Sequence, residues 1–483
     1  PRPAQLGFSS CSRTAAVDGL RYDILARRMI ASTAAAAVRP PSRSMISRAT
    51  PWIIAAGFTV MAVRLAAFVN RYTVNIVYWD QWDFLQGLFD GADAWTLFRW
   101  QHGPQRQGLG NLISAVLYPA TGWNGRADAA ASAVVLLLAA IAGLWLVKRL
   151  CGSLGPWDVV VPLLFLTTTS AETYVVAPNL AHGPLPALLL TAYALALTAP
   201  SHITRCVLLV ILNFFAVNTG FTLLLGGVTP ALLLLLACGP RLTSRERTMY
   251  AVGAGASLGA LALFFHGFVP NSATACFQFP HARWWEYVPF TGFVLARPFG
   301  FLAMDTTVHL LVGSGVAIAT VGVVPCAPWQ LFRVRGDSAF WAVICSLTGF
   351  ALLFAVDTAV GRLCLGLDSA NATRYIPYVL PGILALYLVI RGGATSSPVA
   401  YALLPVFLVA CIAKETDEIS RNEAVAYLKY KQRWHDCYLA MPDIDVCDDW
   451  AGHPVYPSPE ATGLQQKLDW LEERRYSLFQ DRD

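Results

Sequence analysis

The residues best suited to chemistry lie together in one polar stretch, residues 78–106, which reads YWDQWDFLQGLFDGADAWTLFRWQHGPQR. Asp80 and Asp83 are three residues apart, so on a helical turn both carboxylates face the same side. His102 and Arg106 close the stretch. Acids at one end and cationic groups at the other could bracket a phosphate group and its counter-charge. The stretch therefore predicts a site where a carboxylate works beside a phosphate.

A second interpretation of the same stretch is structural. Trp79, Trp82, Trp95 and Trp100 could form the aromatic belt that membrane proteins place at the membrane–water interface. The neighbouring charges would then simply be solvated. Composition alone leaves both interpretations open, and the order of the motifs along the chain favours the functional one.

The elements that must position these residues are membrane helices. The chain has 483 residues, of which 56% are hydrophobic and only 13% charged, whereas soluble proteins carry about 25% charged residues. We therefore predict an all-α polytopic membrane protein. Since a span needs about 20 apolar residues, the sequence offers about eleven segments: 52–69, 129–147, 156–171, 183–199, 205–220, 221–238, 249–268, 306–325, 338–357, 375–391 and 397–413.

Lysine and arginine residues fall at alternate ends of these segments, and such residues favour cytoplasmic loops. The small net charge of +5 fits this bias. It does not indicate a nucleic-acid-binding patch, so we expect membrane lipid and no nucleic acid as partners. The amino terminus is then cytoplasmic, and the apolar run 109–122 must lie flat or re-enter on the outer side. The polar segments gather on the outer face, at residues 70–128, 172–182, 269–305 and 358–374.

Three regions follow from this organisation. Residues 1–50 are predicted to be a disordered leader, residues 51–413 a transmembrane domain, and residues 414–483 a small extracytoplasmic tail. Cys437 and Cys447 lie ten residues apart in this tail. Because disulfides persist outside the cytoplasm, we predict that the two cysteines are bonded, the alternative being two free thiols.

The chain presents five features in a fixed order. They are a first span, an acidic outer loop, a turn with His and Pro, a flat helix and a second span with a basic end. This pattern resembles the GT-C class of membrane glycosyltransferases, which use lipid-phosphate-linked sugars. Protein mannosyltransferases and lipid A aminoarabinose transferases are examples. Asp80 and Asp83 occupy the place of that class's catalytic acid or metal contact, and the turn His102–Pro104 is similar to its HPP turn.

The chain is more similar still to a group of uncharacterised bacterial membrane proteins of this type. They show a WD-x-W-D-like stretch, H-x-x-H-R, an acidic outer turn, G-R-x-x-x-G and S-R-Y, in that order. Gly361, Arg362 and Gly366 match the glycine motif here, and Glu172 keeps the acid of the outer turn. The chain departs at Gln105, which replaces a His, and at Thr173, which replaces an Asn, while Thr373–Tyr375 nearly matches S-R-Y.

The resemblance implies a glycosyltransferase of the bacterial inner membrane. It would transfer a sugar from a polyprenyl-phosphate-linked donor to an acceptor on the outer face. Asp80 or Asp83 would be the base, and Asp83 is favoured because Trp82 and Phe84 would shelter it. The same two acids could contact a divalent cation, Mg²⁺ or Mn²⁺. The expected substrate- and phosphate-binding residues are His102, Arg106, Glu172, Arg362, Arg374 and Tyr375.

Two rival functions stay open. A transporter or flippase of lipid-linked or small solutes would show internal repeats and broken helices, and the sequence has no clear repeat. A non-catalytic GT-C-like scaffold is suggested by the departures at Gln105 and Thr173. Convergence of the two acids with Arg362 and Arg374 on one outer cavity would favour the enzyme, whereas a path open to alternate sides would favour transport.

Overall fold

The computed structural model describes residues 45–176, 179–239, 242–270, 276–300, 306–333, 338–456 and 463–481. The predicted leader lies outside the described residues up to residue 44. The first helix begins at Met45, inside the range predicted to be disordered.

The described chain is helical, with one short β-hairpin. The helices are α1 (Met45–Tyr72), α2 (Gln81–Phe84), α3 (Gln86–Phe89), α4 (Ala94–Arg99), α5 (Gly108–Ala120), α6 (Gly125–Cys151), α7 (Val160–Phe165), α8 (Ala171–Val175), α9 (Pro184–Leu197), α10 (His202–Val217), α11 (Leu225–Ala237), α12 (Ser244–Phe265), α13 (Tyr287–Ala296), α14 (Thr306–Arg333), α15 (Ser338–Arg362), α16 (Ile376–Gly393), α17 (Pro398–Ala413), α18 (Glu418–Ala440), α19 (Ile444–Ala451) and α20 (Leu464–Glu473). The hairpin pairs β1 (Gln101–His102) with β2 (Gln105–Arg106).

Among the described residues, seven helices are long and apolar enough to cross a membrane. The chain is therefore a multi-pass membrane protein. The helices are Arg48–Tyr72, Gly125–Cys151, Gly220–Ala237, Ser244–Phe265, Ala339–Leu365, Thr373–Gly393 and Pro398–Ala440, the last apolar only in its first part. The other four predicted spans coincide with shorter apolar helical stretches, Pro156–Phe165, Pro184–Leu197, His202–Val217 and Leu310–Gly322, the last of which lies within α14.

Two local predictions concern how the apolar runs are interrupted. Residues 205–238 form two helices, α10 and α11, separated by residues 218–219 and a 3₁₀ turn, Gly220–Leu224. The apolar run near 109–122 becomes the 13-residue α5, which at about 1.5 Å per residue is only about 20 Å long. That length is short of the roughly 30 Å hydrocarbon core, so α5 by itself does not cross it.

The tail does not stand apart from the rest of the chain. Its helices α18 to α20 bury Trp434, Tyr438 and Leu468 in one hydrophobic cluster with Tyr78 and Trp82 of the first polar segment. The backbone N–H of Trp79 also donates to the carbonyl of Val455 at 2.7 Å. The tail therefore forms the back wall of the acidic segment.

Two disulfide bonds cross-link segments that the sequence analysis assigned to the outer face. Cys437 and Cys447 are bonded, with Cα atoms 5.6 Å apart, which confirms the predicted pair. The second bond joins Cys276 to Cys364 across 88 residues and was not predicted from the sequence. Both of its cysteines lie in segments assigned to the outer face, 269–305 and 358–374. Sequence spacing could not reveal this pair, because only folding brings such distant positions together.

Candidate functional site

Most of the predicted site residues line one polar cavity of about 330 Å³. Its wall includes both predicted acids, the predicted histidine and both predicted arginines of the 358–374 segment. These residues are Asp80, Asp83, His102, Arg362, Arg374 and Tyr375, joined by Trp79, Gln105, His182, Tyr378 and Tyr456. The cavity therefore brings together five separate stretches of the chain.

A strained turn presents the two acids. Trp79 has a φ of 57°, a left-handed conformation that bulky residues rarely adopt. The chain then turns at Asp80, the N-cap of α2, and Asp83 follows inside that helix. Both carboxylates line the cavity while Trp82 between them is fully buried in the core. Such strain persists only when surrounding contacts enforce it, and the Trp79–Val455 hydrogen bond is one of those contacts.

The two acids have different surroundings. Asp83 accepts a hydrogen bond from the Tyr456 hydroxyl at 2.5 Å. The carboxylate of Asp80 has no hydrogen bond to any residue that the structure describes. Burial raises the pKa of Asp80, and the nearby His102, Arg374 and Arg362 only partly oppose this rise. Of the two acids, Asp80 is therefore the one whose oxygens are available to a ligand. It also binds a proton more tightly than an exposed aspartate does.

Glu172 orients Arg374 and does not line the cavity itself. The guanidinium of Arg374 donates to Oε1 of Glu172 at 3.0 Å, and the backbone N–H of Arg374 donates to Oε2 at 3.1 Å. The Arg374 side chain remains 37% exposed, so part of its donor fork is still turned toward the cavity. The resemblance implied a substrate contact for Glu172, whereas the structure places it behind the arginine.

Arg106 is not part of the cavity wall. Its guanidinium donates to the carbonyl oxygens of Arg99, Phe264 and His266, and the residue is only 3% exposed. Its hydrogen bonds attach the β-hairpin to the end of α12. These backbone carbonyls occupy most of the donor groups that the predicted phosphate contact of Arg106 would need.

His182 is a site residue that the sequence did not single out. Its half-buried ring lines the cavity and packs edge-on against Phe84, with ring centroids 5.0 Å apart. His102 lies against the same phenylalanine at 4.8 Å. The sequence signal was weak, since His182 appeared only at the end of an outer loop. Tyr456 was likewise hidden, because nothing in the tail sequence indicated contact with the acidic segment.

An apolar cavity of about 530 Å³ adjoins the polar one. Phe221, Leu224 and Phe268 line it, together with Phe277, which lies next to the disulfide-bonded Cys276. The two cavities share wall residues, namely Pro104, Gln105, Phe221, Arg362 and Tyr375. A molecule with an apolar chain and a polar head could therefore occupy both cavities at once.

The groups available to a divalent cation are few. Among the residues described, no cluster of three or more His, Cys, Asp or Glu side chains has the geometry to hold a metal ion. Asp80 and Asp83 offer carboxylate oxygens, the ligand type that Mg²⁺ prefers, and Mg²⁺ often completes its shell with substrate phosphates and water. These residues fit a cation shared with a substrate phosphate, but they do not form an all-protein cage.

No protein-family model matches the chain, and no curated protein is significantly similar to it. Function must therefore be inferred from the chemistry of the two adjoining cavities.

Proposed function

We propose that this protein is a GT-C-like glycosyltransferase that transfers a sugar from a polyprenyl-phosphate-linked donor to an acceptor. The observation that carries the proposal is the shared wall between the cavities. Asp80 faces two arginines in the polar cavity, and Arg362 belongs to both cavities. The prenyl chain would occupy the apolar cavity, and the sugar phosphate the polar one.

Asp80 is proposed as the base, in preference to Asp83, which the sequence favoured. A base must be free to take the acceptor's proton, and its pKa should lie closer to neutrality than that of an exposed aspartate. Asp80 has no hydrogen bond to a described residue, and burial raises its pKa. Asp83 already accepts a hydrogen bond from Tyr456, which suits a residue that shapes the cavity rather than the base.

Arg362 and Arg374 are proposed to stabilise the phosphate that leaves when the sugar is transferred. Guanidinium groups make paired hydrogen bonds to phosphate oxygens, and positive charge placed where negative charge develops lowers the barrier. His102 can supply a further hydrogen bond. The divalent cation expected from the resemblance would have to be shared between Asp80, Asp83 and the donor phosphate, and no step of this proposal requires it.

The finer topology is also part of the proposal. We infer eleven spans, the four shorter apolar helices included, in a bacterial inner membrane. Lys148 and Arg149 end α6, at the other end from the polar segments. Since such residues favour the cytoplasm, both cavities and the tail would face the outside. Cysteine-accessibility labelling at residue 450 tests this topology, and labelling from the cytoplasm would contradict it.

A transfer assay tests the proposed function. Purified protein in nanodiscs would be given a panel of radiolabelled polyprenyl-phosphate hexoses and membrane-extract acceptors, with Asp80→Asn as the negative control. Transfer by wild type, lost in Asp80→Asn while both proteins unfold at similar temperatures, supports the proposal. Movement of the donor across the bilayer without transfer would favour a flippase. Donor binding without either activity would favour a non-catalytic scaffold.

A further inference from the structure

Gln105 lies on the wall between the two cavities. It lines both of them and is only 5% exposed. The β-hairpin fixes its place, because Gln105 pairs with His102 in the ladder and the connecting Gly103 has a φ of 54°, which glycine adopts readily. A ligand that spans both cavities must therefore pass this side chain.

His182 sets the orientation of the Gln105 amide. Nε2 of Gln105 lies 3.3 Å from Nε2 of His182. Burial, reinforced by the positive charges of His102, Arg374 and Arg362, holds the pKa of His182 well below its usual range. When Nε2 is the unprotonated nitrogen of the neutral imidazole, it accepts a hydrogen bond from the amide N–H of Gln105. The amide oxygen is then the atom left for another partner.

That oxygen has no hydrogen-bond partner within the part of the chain that the structure describes. A buried acceptor without a partner destabilises the protein, and such groups in native proteins call for an explanation. A ligand that donates a hydrogen bond at this point would remove the cost. Because the charged groups that act on His182 are cationic, a neutral hydroxyl suits the position better than an ammonium group.

We propose that the amide oxygen of Gln105, oriented by His182, accepts a hydrogen bond from a hydroxyl group of the donor sugar. This hydroxyl lies on the carbon next to the phosphate-bearing carbon. The inference rests on the proposed function and adds a specificity determinant to it. Arg362, the proposed phosphate contact, shares the same wall as Gln105. The proposal places the sugar carbons nearest the phosphate beside Gln105.

The test compares two donors, a polyprenyl-phosphate hexose that wild type accepts and its 2-deoxy analogue. Each is assayed for kcat/KM and for binding in nanodiscs, with wild type and Gln105→Leu. Wild type should prefer the hydroxylated donor by about 10-fold or more, since rejecting a donor that leaves a buried polar group unpaired is costly. Gln105→Leu should bring the preference within about threefold, mainly by lowering kcat/KM for the hydroxylated donor.

Gln107→Leu is the matched control. Gln107 is also buried, and both its amide atoms lack partners among the described residues, but it lines neither cavity. This variant should keep the wild-type preference. Equal losses on both donors in Gln105→Leu, or the same loss of preference in Gln107→Leu, would overturn the inference. If wild type binds the donors without transferring sugar, the proposed function fails, and the binding preference still decides the role of Gln105.

Discussion

Arg297 and Asp80 are both enclosed by protein, yet they are held in opposite ways. The guanidinium of Arg297 is fully buried and donates to Asp417, Ser420 and the carbonyl of Asn371, each at 2.9 Å. Asp80 faces a cavity, and its carboxylate has no hydrogen bond to any described residue. The guanidinium of Arg297 joins the end of α13 to the start of the tail. The carboxylate of Asp80 remains available to a ligand.

The comparison teaches how to separate structural from functional charge in this protein. A buried charge whose donors are all satisfied contributes to the fold, and removing its partner leaves an uncompensated charge. A charge retained in a cleft without protein partners is costly to keep. Function is the simplest reason to retain it. The following experiments test this contrast from the largest expected effect to the smallest.

Asp80→Asn should lower kcat by about 10²–10⁴-fold, the range that a general base contributes. Its unfolding temperature at neutral pH should stay the same or rise. The reason is that burial raises the folded-state pKa of Asp80, so ionisation of Asp80 at neutral pH costs folding stability that Asn does not lose. Asp83→Asn serves as the matched control and should cost about 10-fold or less, the scale of one hydrogen bond. Equal losses in the two variants would remove the distinction between the acids.

Arg297→Met should lower the free energy of unfolding by about 3–5 kcal/mol, because it leaves Asp417 buried without its cation. Denaturation monitored in detergent would measure the loss. The double variant Arg297→Met/Asp417→Asn should recover part of the stability, since neither charge then remains. An Arg297→Met protein as stable as wild type would show that the buried pair does not hold the tail in place.

The two disulfides differ in the length of the loop that each one closes. In the chain-entropy picture a bond that closes a longer loop stabilises more. Removal of the Cys276–Cys364 bond, which spans 88 residues, should cost at most about 4.6 kcal/mol. Loss of Cys437–Cys447, which spans 10, should cost at most about 3 kcal/mol. Thermal unfolding of the two Cys→Ser double variants would measure this order, and the reverse order would contradict it.

The smallest expected effect is a shift in the pH dependence of transfer. Because a base must be ionised, kcat/KM should rise with pH through the pKa of Asp80, at a pH above the usual aspartate range. Arg374 lowers that pKa and Asp83 raises it. Arg374→Gln should therefore move the acidic limb to higher pH, and Asp83→Asn should move it to lower pH. An acidic limb unmoved by both changes would mean that another group titrates.

Several features of the site followed from local pattern. The spacing of Asp80 and Asp83 placed both acids on one turn, and both line the cavity. Charge alternation put the segments of Arg362 and Arg374 on the same side as those acids. His182 and Tyr456 were missed, because their roles depend on contacts between positions far apart in sequence. Arg106 had a plausible residue type, and only the structure shows that carbonyl groups occupy it.

The sequence by itself determined the helical membrane class. Its residues are 56% hydrophobic, and they fall in apolar runs of the length that crosses a membrane as a helix. It also predicted the bonded pair Cys437–Cys447, whose short spacing makes the contact nearly local. The tertiary structure decided which acid stays uncommitted, which arginine serves the fold, and where the apolar cavity meets the polar one. These properties depend on desolvation and on partners supplied by distant segments, and a linear pattern does not specify either.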